Sequence, residues 1–388
     1  MTIDIRVGDC LSVLPTLEPE SIDAVVTDPP YHLTTGKKGG SGAASVNLNS
    51  PAGRARVGTG FMGKKWDGGD VAFRPETWRA VLRVAKPGAY MLAFGGTRTF
   101  HRLTCAIEDA GFEIHDAISW LYGSGFPKHE SKLKPGWEPI IFARRPAPRA
   151  TPLNIDACRL EVADGAYARN HSGDRGHAGT RSVEDRGATD MRMGGGTASA
   201  LGRWPANVLL DEEAAEMLDA QSGTLTSGAN PTRRGSNKFA NTYGDFVGQE
   251  SCEPARGVDV GGASRFYYCA KASRADRNAG LETLAKKSGG SNTKGFTVDV
   301  ANGIDRNRPV ANHHPTVKPV DLMQWLCRLV TPKGGTVLDP FCGSGSTGRA
   351  AVAEGFSFIG IDLDPDYAAI ARARIADYAP LFNDPEAA

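Results

Sequence analysis

Short apolar runs alternate with stretches of helical period at both ends of the chain. Residues 3–7, 22–26, 89–94, 117–121 and 139–142 are brief hydrophobic runs of strand length, and 76–85 and 99–110 carry apolar residues at helical spacing. Toward the C-terminus the pattern predicts a helix over 317–330, with Val320, Met323, Leu326, Leu329 and Val330 near one face. A strand over 336–338, a helix over 347–354, a strand over 356–361 and a helix over 367–378 follow. Strands alternating with helices predict an α/β fold with a mostly parallel sheet covered on both faces. Residues 150–312 lose this pattern: Gly, Ser, Arg, Asn and Asp dominate, and 204–210 and 266–272 are the best apolar islands. The expected organisation is therefore 1–149, 150–312 and 313–388, the middle part being too poor in apolar residues to build a large core alone. Within the first part, 32–65 is a Gly/Ser/Lys-rich interruption too long for a passive turn.

Composition narrows the class. A chain of 388 residues accommodates one large α/β domain with an inserted region, or two domains. It contains no run of about 18 apolar residues, so no membrane span is expected, and the N-terminus lacks the basic-then-apolar layout of a signal peptide. Cys10, Cys105, Cys158, Cys252, Cys269, Cys327 and Cys342 are scattered without a CxxC pair. That argues against structural zinc and for a reducing, cytoplasmic setting. With a formal net charge of +1, any nucleic-acid surface has to be local.

The apolar run 22–26 ends in Thr27-Asp28-Pro29-Pro30-Tyr31. The two prolines remove two backbone donors and fix φ, so the strand must stop there. A carboxylate (Asp28), a free carbonyl (Pro29) and a flat ring (Tyr31) then share one strand end. Such a socket suits a planar group carrying an amine: two acceptors for N–H and a ring to stack on the plane.

A second constellation lies near the other end of the chain. Residues 337–347 read as strand, glycine-rich turn and helix start, with Asp339, Gly343, Gly345 and Thr347 within them. Glycines let the backbone approach a ligand, and a helix N-terminus presents free N–H groups to a carboxylate. No Gly-Lys-Ser/Thr follows and no full GxGxxG is present, so neither a phosphate loop nor a dinucleotide turn fits. Asp339 would repel phosphate but suits a positive amino group. The next strand ends at Asp362, an acid placed to hold ribose hydroxyls. An amino acid joined to a ribose describes S-adenosylmethionine.

With both constellations in hand, the chain resembles the amino-group DNA methyltransferases of the N6-adenine/N4-cytosine family. More narrowly, it is similar to their circularly permuted β group, in which the catalytic motif precedes the cofactor motif. Asp28-Pro29-Pro30-Tyr31 stands at the catalytic motif and 314–319 at the motif that starts the helix before the cofactor loop. Asp339 to Gly345 stands at the cofactor motif, Asp362 at the ribose-binding acid, and Gly8-Asp9 near the cofactor's adenine. The resemblance covers 1–149 and 313–388. It implies a Rossmann-like methyltransferase fold, a seven-stranded, mostly parallel sheet with one antiparallel strand, its two halves supplied by opposite ends of the chain and a glycine-rich region inserted between them. It also implies S-adenosyl-L-methionine as cofactor, held by Asp9, Asp28, Thr316, Lys318, Asp339, Pro340, Phe341, Gly343, Gly345, Thr347 and Asp362. Asp28, Pro29, Pro30 and Tyr31 would carry direct methyl transfer to an exocyclic amine of a base in double-stranded DNA. Asp at the first motif position favours adenine N6, with cytosine N4 as the alternative. The resemblance allows a homodimer.

For DNA, Lys37, Lys38, Arg54, Arg56, Lys64 and Lys65, followed by Trp66, suggest a cationic flap. In the middle part Arg233, Arg234, Lys238, Arg265, Lys271, Arg274 and Arg277 are the candidate contacts, and 150–312 is the expected target-recognition region. His313 and His314 have no second cluster at ligand spacing and read as turn residues, so no metal is expected. Methylation of RNA or of a protein amide, and a catalytically silent DNA-binding module, are the competing readings.

Overall fold

The computed structural model of the chain describes residues 1–31, 70–125, 133–148, 151–162, 202–227, 259–271, 277–282, 312, 314 and 317–378, with the backbone of short strands between them. The described residues group into two units, one of Met1–Leu121, Gly125–Asn154 and Ala270–Ala388, the other of Tyr122–Ser124 and Ile155–Cys269.

Seven strands of the first unit are β1 (Ile3–Val7), β2 (Ile22–Thr27), β3 (Ala85–Phe94), β4 (Glu113–Leu121), β5 (Trp137–Arg144), β6 (Thr336–Asp339) and β7 (Ser357–Asp362). They are hydrogen-bonded in the order β1-β7-β6-β2-β3-β5-β4. Pairing is parallel from β1 through β3, and β5 runs antiparallel to both β3 and β4. The sheet is thus the mostly parallel, Rossmann-like arrangement expected. Its centre joins opposite ends of the chain: Val337 and Leu338 of β6 pair with Ala24 and Val25 of β2.

The central strands are apolar on both faces, as strands covered on two sides must be. On one face Val25, Met91, Ala93, Ile141, Ala143, Leu338 and Ile361 pack with Trp78, Val81, Leu103 and Ile107. These come from helices α1 (Pro75–Val84) and α2 (Phe100–Asp109). Pro75 opens α1 where its missing N–H costs nothing, with Glu76 in the first turn and Arg83 in the last. Helix α3 (Val320–Val330) packs on β2 and β3, α4 (Ser346–Ala353) on β6 and β7, and α5 (Pro365–Tyr378) on β1 and β7. Helix α3 begins at Val320, not at 317 as the periodicity suggests, because Lys318 precedes Pro319 and a residue before proline is pushed to extended backbone.

Residues from Ala270 onward group with the sheet although the composition places them in the middle part. Leu281 packs with Tyr367 and Ile370 of α5, which anchors that stretch. The second unit contains a helix, Glu212–Ser222, that the apolar pattern does not announce. None of its residues is buried, so it has no apolar stripe to read. It forms because Asp211 caps it, accepting from Ala214 N at 2.7 Å. In the same unit Leu225–Ser227 pairs antiparallel with Asp259–Gly261.

Candidate active site

Parallel strands deliver all their C-terminal ends to one edge of the sheet, and ligands of such sheets bind there. The ends of β1, β7, β6, β2 and β3 meet at this edge. Because β5 is antiparallel, it brings its first residues to the same place. Glu138 therefore lies beside the end of β2, although the apolar run that announces β5 begins one residue after it.

The Asp28–Tyr31 turn follows β2. Lys318, in the extended segment before α3, donates to Asp28 Oδ2 at 2.7 Å, to the Tyr31 hydroxyl at 3.1 Å, and pairs with Glu138 Oε2 at 3.1 Å. The Tyr31 hydroxyl donates to the same Glu138 Oε2 at 3.0 Å. Asp28 Oδ1 is buried and has no hydrogen-bond partner among the described residues. Lys318 is only 8% exposed and lies 4.7 Å above the Phe94 ring. Burial disfavours its charged form, but the Asp28 and Glu138 carboxylates outweigh that and hold the ammonium protonated above the ordinary lysine range. The Tyr31 phenol is pushed well above its ordinary value, by burial first and then by the same two carboxylates.

The Tyr31 ring is fixed from behind. A Cβ added at Gly96, just after β3, would lie 3.2 Å from Tyr31 Cδ2, so the glycine lets the ring sit close to the backbone. The Thr99 hydroxyl donates to the Tyr31 carbonyl at 3.0 Å.

The loop from β6 to α4 is folded by its own polar groups. Asp339 is 2% exposed, and its Oδ1 accepts from the Thr27 hydroxyl at 2.6 Å and from Phe341 N at 3.0 Å. Its Oδ2 accepts from the Thr347 hydroxyl at 2.6 Å. Burial raises the Asp339 carboxyl to about 6 against the pull of these donors. Asp339, expected to face a ligand's amino group, thus spends three bonds on the loop and on β2. Gly343 and Gly345 have φ of +52° and +79°, left-handed conformations that favour glycine. Gly343 N donates to Asp362 Oδ2 at 2.7 Å and Asp364 N to Oδ1 at 2.8 Å. Burial lifts the Asp362 carboxyl to about 6 as well. Gly8 N donates to the Asp362 carbonyl at 2.9 Å, and Asp9 caps the short helix Cys10–Val13 with its side chain on Leu11 N at 2.8 Å. Pro340 is buried and Phe341 half-buried, its ring 6.3 Å from that of Trp78.

A Cβ at Gly343 would lie 2.8 Å from His314 Nε2. His314, read from sequence as a turn residue, packs on the glycine turn and edge-on to Tyr367 at 4.7 Å. Its carbonyl accepts from Arg277 at 2.7 Å.

The structure therefore brings Asp28, Tyr31 and Lys318 together, and Asp339, Gly343, Gly345, Thr347 and Asp362 together. Lys318, expected among cofactor contacts, lies in the Asp28 cluster. Glu138 was absent from the expected set; the signal available was an acid between Trp137 and Pro139 at the mouth of an apolar strand. Two expected DNA contacts are engaged elsewhere. Arg265 gives its donors to Asp259, Gly261, Gly262 and Leu225 within the second unit, and burial lowers the pKa of Arg277, which supports His314. Thr316, Lys37, Lys38, Lys64, Lys65, Trp66, Arg234 and Arg274, with the stretch 32–65, lie outside the described residues. Of Arg233 only the backbone is described, in strand Thr232–Arg233.

The family model for DNA methylases of the N6/N4 type matches residues 22–373. Over 65 residues the chain is 46% identical to the type II methyltransferase M2.DpnII of Streptococcus pneumoniae, covering 17% of this chain and 24% of that relative. Over 63 residues it is 40% identical to the DNA adenine methyltransferase YhdJ of Escherichia coli strain K12, covering 16% and 21%. These alignments span about a quarter or less of the relatives' own length. Among solved structures, the cytosine-N4-specific PvuII DNA methyltransferase is similar over 96% of this chain and 86% of that one, with 14% identity and a TM-score of 0.45. With the family match running through both sequence constellations and the sheet that joins them, the chain belongs to the N6/N4 DNA methylase family.

Proposed function

We propose that the protein transfers a methyl group from S-adenosyl-L-methionine to the exocyclic N6 of adenine in double-stranded DNA. The observation that carries this reading is the state of Asp28. One of its oxygens is engaged by Lys318 and the other is buried without a partner among the described residues, at the strand edge next to the Asp339–Gly345 loop. A buried acceptor without a donor is unfavourable unless something fills it, and an amine N–H fits.

The loop residues fit the cofactor. Gly343, in a left-handed conformation, turns its N–H onto Asp362, and the Asp362 carboxylate keeps lone pairs for ribose hydroxyls beyond its two backbone bonds. Asp9, Pro340, Phe341, Thr347 and Thr316 complete the proposed set. When bound, the cofactor supplies an activated methyl group on sulfur.

An exocyclic amine is a poor nucleophile because its lone pair is delocalised into the ring. Asp28 Oδ1 and the Pro29 carbonyl accept its hydrogens, draw it toward tetrahedral geometry and localise the lone pair. Pro30 keeps the turn rigid. Tyr31, its hydroxyl tied to Glu138 and Lys318, stacks on a base taken out of the duplex, since the target atom is out of reach within the helix. Held in line at near-contact distance, amine and methyl react without a covalent intermediate on the protein. The basic stretch 32–65 with Trp66, and Arg233, Arg234 and Arg274, would contact DNA phosphates, in the cytoplasm where cofactor and DNA meet.

Labelled cofactor incubated with duplex DNA, followed by mass analysis of the nucleosides, tests this. N6-methyladenine is the expected product. N4-methylcytosine alone would reassign the base, and transfer to RNA in place of DNA would reassign the substrate. Cofactor and DNA binding without transfer would identify a silent module.

A further inference from the structure

We propose that Glu138 is a positioning residue that offsets the charge of Lys318, so that Asp28 meets the substrate amine as a full carboxylate. The inference rests on the methyl transfer proposed above and deepens it.

Lys318 by itself is a problem for that chemistry. In the reaction the bond from methyl carbon to sulfur breaks and its electron pair goes to sulfur, while the amine lone pair forms the new N–C bond. Positive charge leaves sulfur and appears on nitrogen, until one proton departs to water. A carboxylate beside that nitrogen stabilises the developing cation, as preorganised charge does in other active sites. An ammonium 2.7 Å from the same carboxylate cancels the effect, because Asp28 and Lys318 together are neutral.

Glu138 restores the balance. Its Oε2 lies 3.1 Å from Lys318 Nζ, so one ammonium is shared between two carboxylates and the cluster carries net charge −1. Lys318 is held on the Oδ2 side of Asp28, leaving Oδ1 as the acceptor with no partner among the described residues. The same Glu138 oxygen accepts the Tyr31 hydroxyl, which sets the ring that would stack on the base. The side chains are 9% (Lys318), 20% (Asp28) and 21% (Glu138) exposed, so water screens these charges weakly. Besides these groups, Phe94 faces Lys318 with its ring, and Asp339 adds a like charge near Asp28.

The test uses the full chain with duplex DNA and S-adenosylmethionine under single-turnover conditions. Glu138→Gln keeps shape and hydrogen-bond acceptor but leaves the cluster neutral. It should slow transfer by about 10–100-fold with cofactor and DNA affinities within about threefold of wild type. Losing one of its two carboxylates, Lys318 should deprotonate at lower pH, and its neutralisation returns the cluster to −1. The Glu138→Gln rate should therefore climb toward wild type as the pH is made alkaline. The double variant Glu138→Gln/Lys318→Gln should transfer faster than Glu138→Gln at neutral pH. A Glu138→Gln rate within twofold of wild type, a slowed rate with no alkaline recovery, or a double variant no faster than the single one each overturns the proposal. Titration of Lys318 by NMR of carbon-labelled lysine reads the charge coupling without turnover: an unchanged Lys318 titration in Glu138→Gln also overturns it. Wild-type protein that transfers no methyl group while Lys318 shifts as expected would instead overturn the methyl-transfer reading.

Discussion

The Thr27 hydroxyl donates to Asp339 Oδ1 at 2.6 Å, tying the end of β2 to the end of β6 across 312 positions of sequence. Together with the pairing of β2 and β6, that bond sets the Asp28 turn beside the glycine loop, because each begins at the next residue of its strand. It also explains the carboxylate at 339, whose second oxygen holds Thr347 at the start of α4.

Asp339 and Asp362 make stability depend on pH in an unusual direction. Burial raises both carboxyls to about 6 in the fold, against about 3.9 in the unfolded chain. Between those values the folded protein binds protons that the unfolded chain does not. Their contribution is complete below about pH 4 and is lost as the pH rises through about 6. For Asp339 it is on the order of 2–3 kcal/mol. Chemical unfolding at about pH 5 and about pH 7 should show this trend, and Asp339→Asn should remove its share of the difference. An identical pH slope in Asp339→Asn would refute the assignment.

Asp28→Ala should slow methyl transfer by about 100-fold or more, with a much smaller loss of cofactor affinity. Calorimetry with S-adenosylmethionine beside a methylation assay separates the two effects. Near-normal methylation by this variant would remove Asp28 from the mechanism.

Gly345 and Gly334 share a left-handed backbone, with φ of +79° and +72°, but not the same surroundings. A Cβ at Gly345 would lie 2.8 Å from Ala371 Cβ and 2.9 Å from its Cα on α5, whereas nothing among the described residues lies within 4 Å at Gly334. Gly334→Ala should cost about 1 kcal/mol of stability, the backbone penalty alone. Gly345→Ala should cost about 2–4 kcal/mol, because packed backbone must also move, and cofactor affinity should fall with it. Equal melting temperatures for the two variants would contradict this account.

In the second unit Asp259 Oδ2 accepts from Arg265 at 3.0 Å and also from Arg203, and both guanidinium groups flank Phe266. Burial alone would raise the Asp259 carboxyl, but the two arginines outweigh it and hold it below the usual range. Asp259→Ala strands both cations and should destabilise this unit by about 3 kcal/mol. With a depressed carboxyl, the wild-type contribution is present above about pH 4 and fades as the pH falls through the folded value. Limited proteolysis of wild type and variant would detect the loosened unit; equal cleavage rates would count against the cluster's role.

Much of this protein follows from sequence alone. Apolar runs and helical periods located the central strands and packed helices of the first unit, because a strand covered on both faces is apolar along its length and a packed helix repeats near 3.6. Of β4 only the second half was legible, since Glu113–Ala117 are exposed. The two chemistry-bearing turns were legible because proline and glycine force local backbone geometry whatever surrounds them. Contacts between distant segments were not legible. Glu138 meets Tyr31 across 107 positions and Lys318 meets Asp28 across 290, and no local pattern encodes such pairs. Only the antiparallel course of β5 brings Glu138 to the edge where the parallel strands end. Only the pairing of β2 with β6 turns Asp339 into a buried tie. The sequence determined which groups could do chemistry; the sheet order decided which stand together, because strand pairing sets neighbours that chain distance does not.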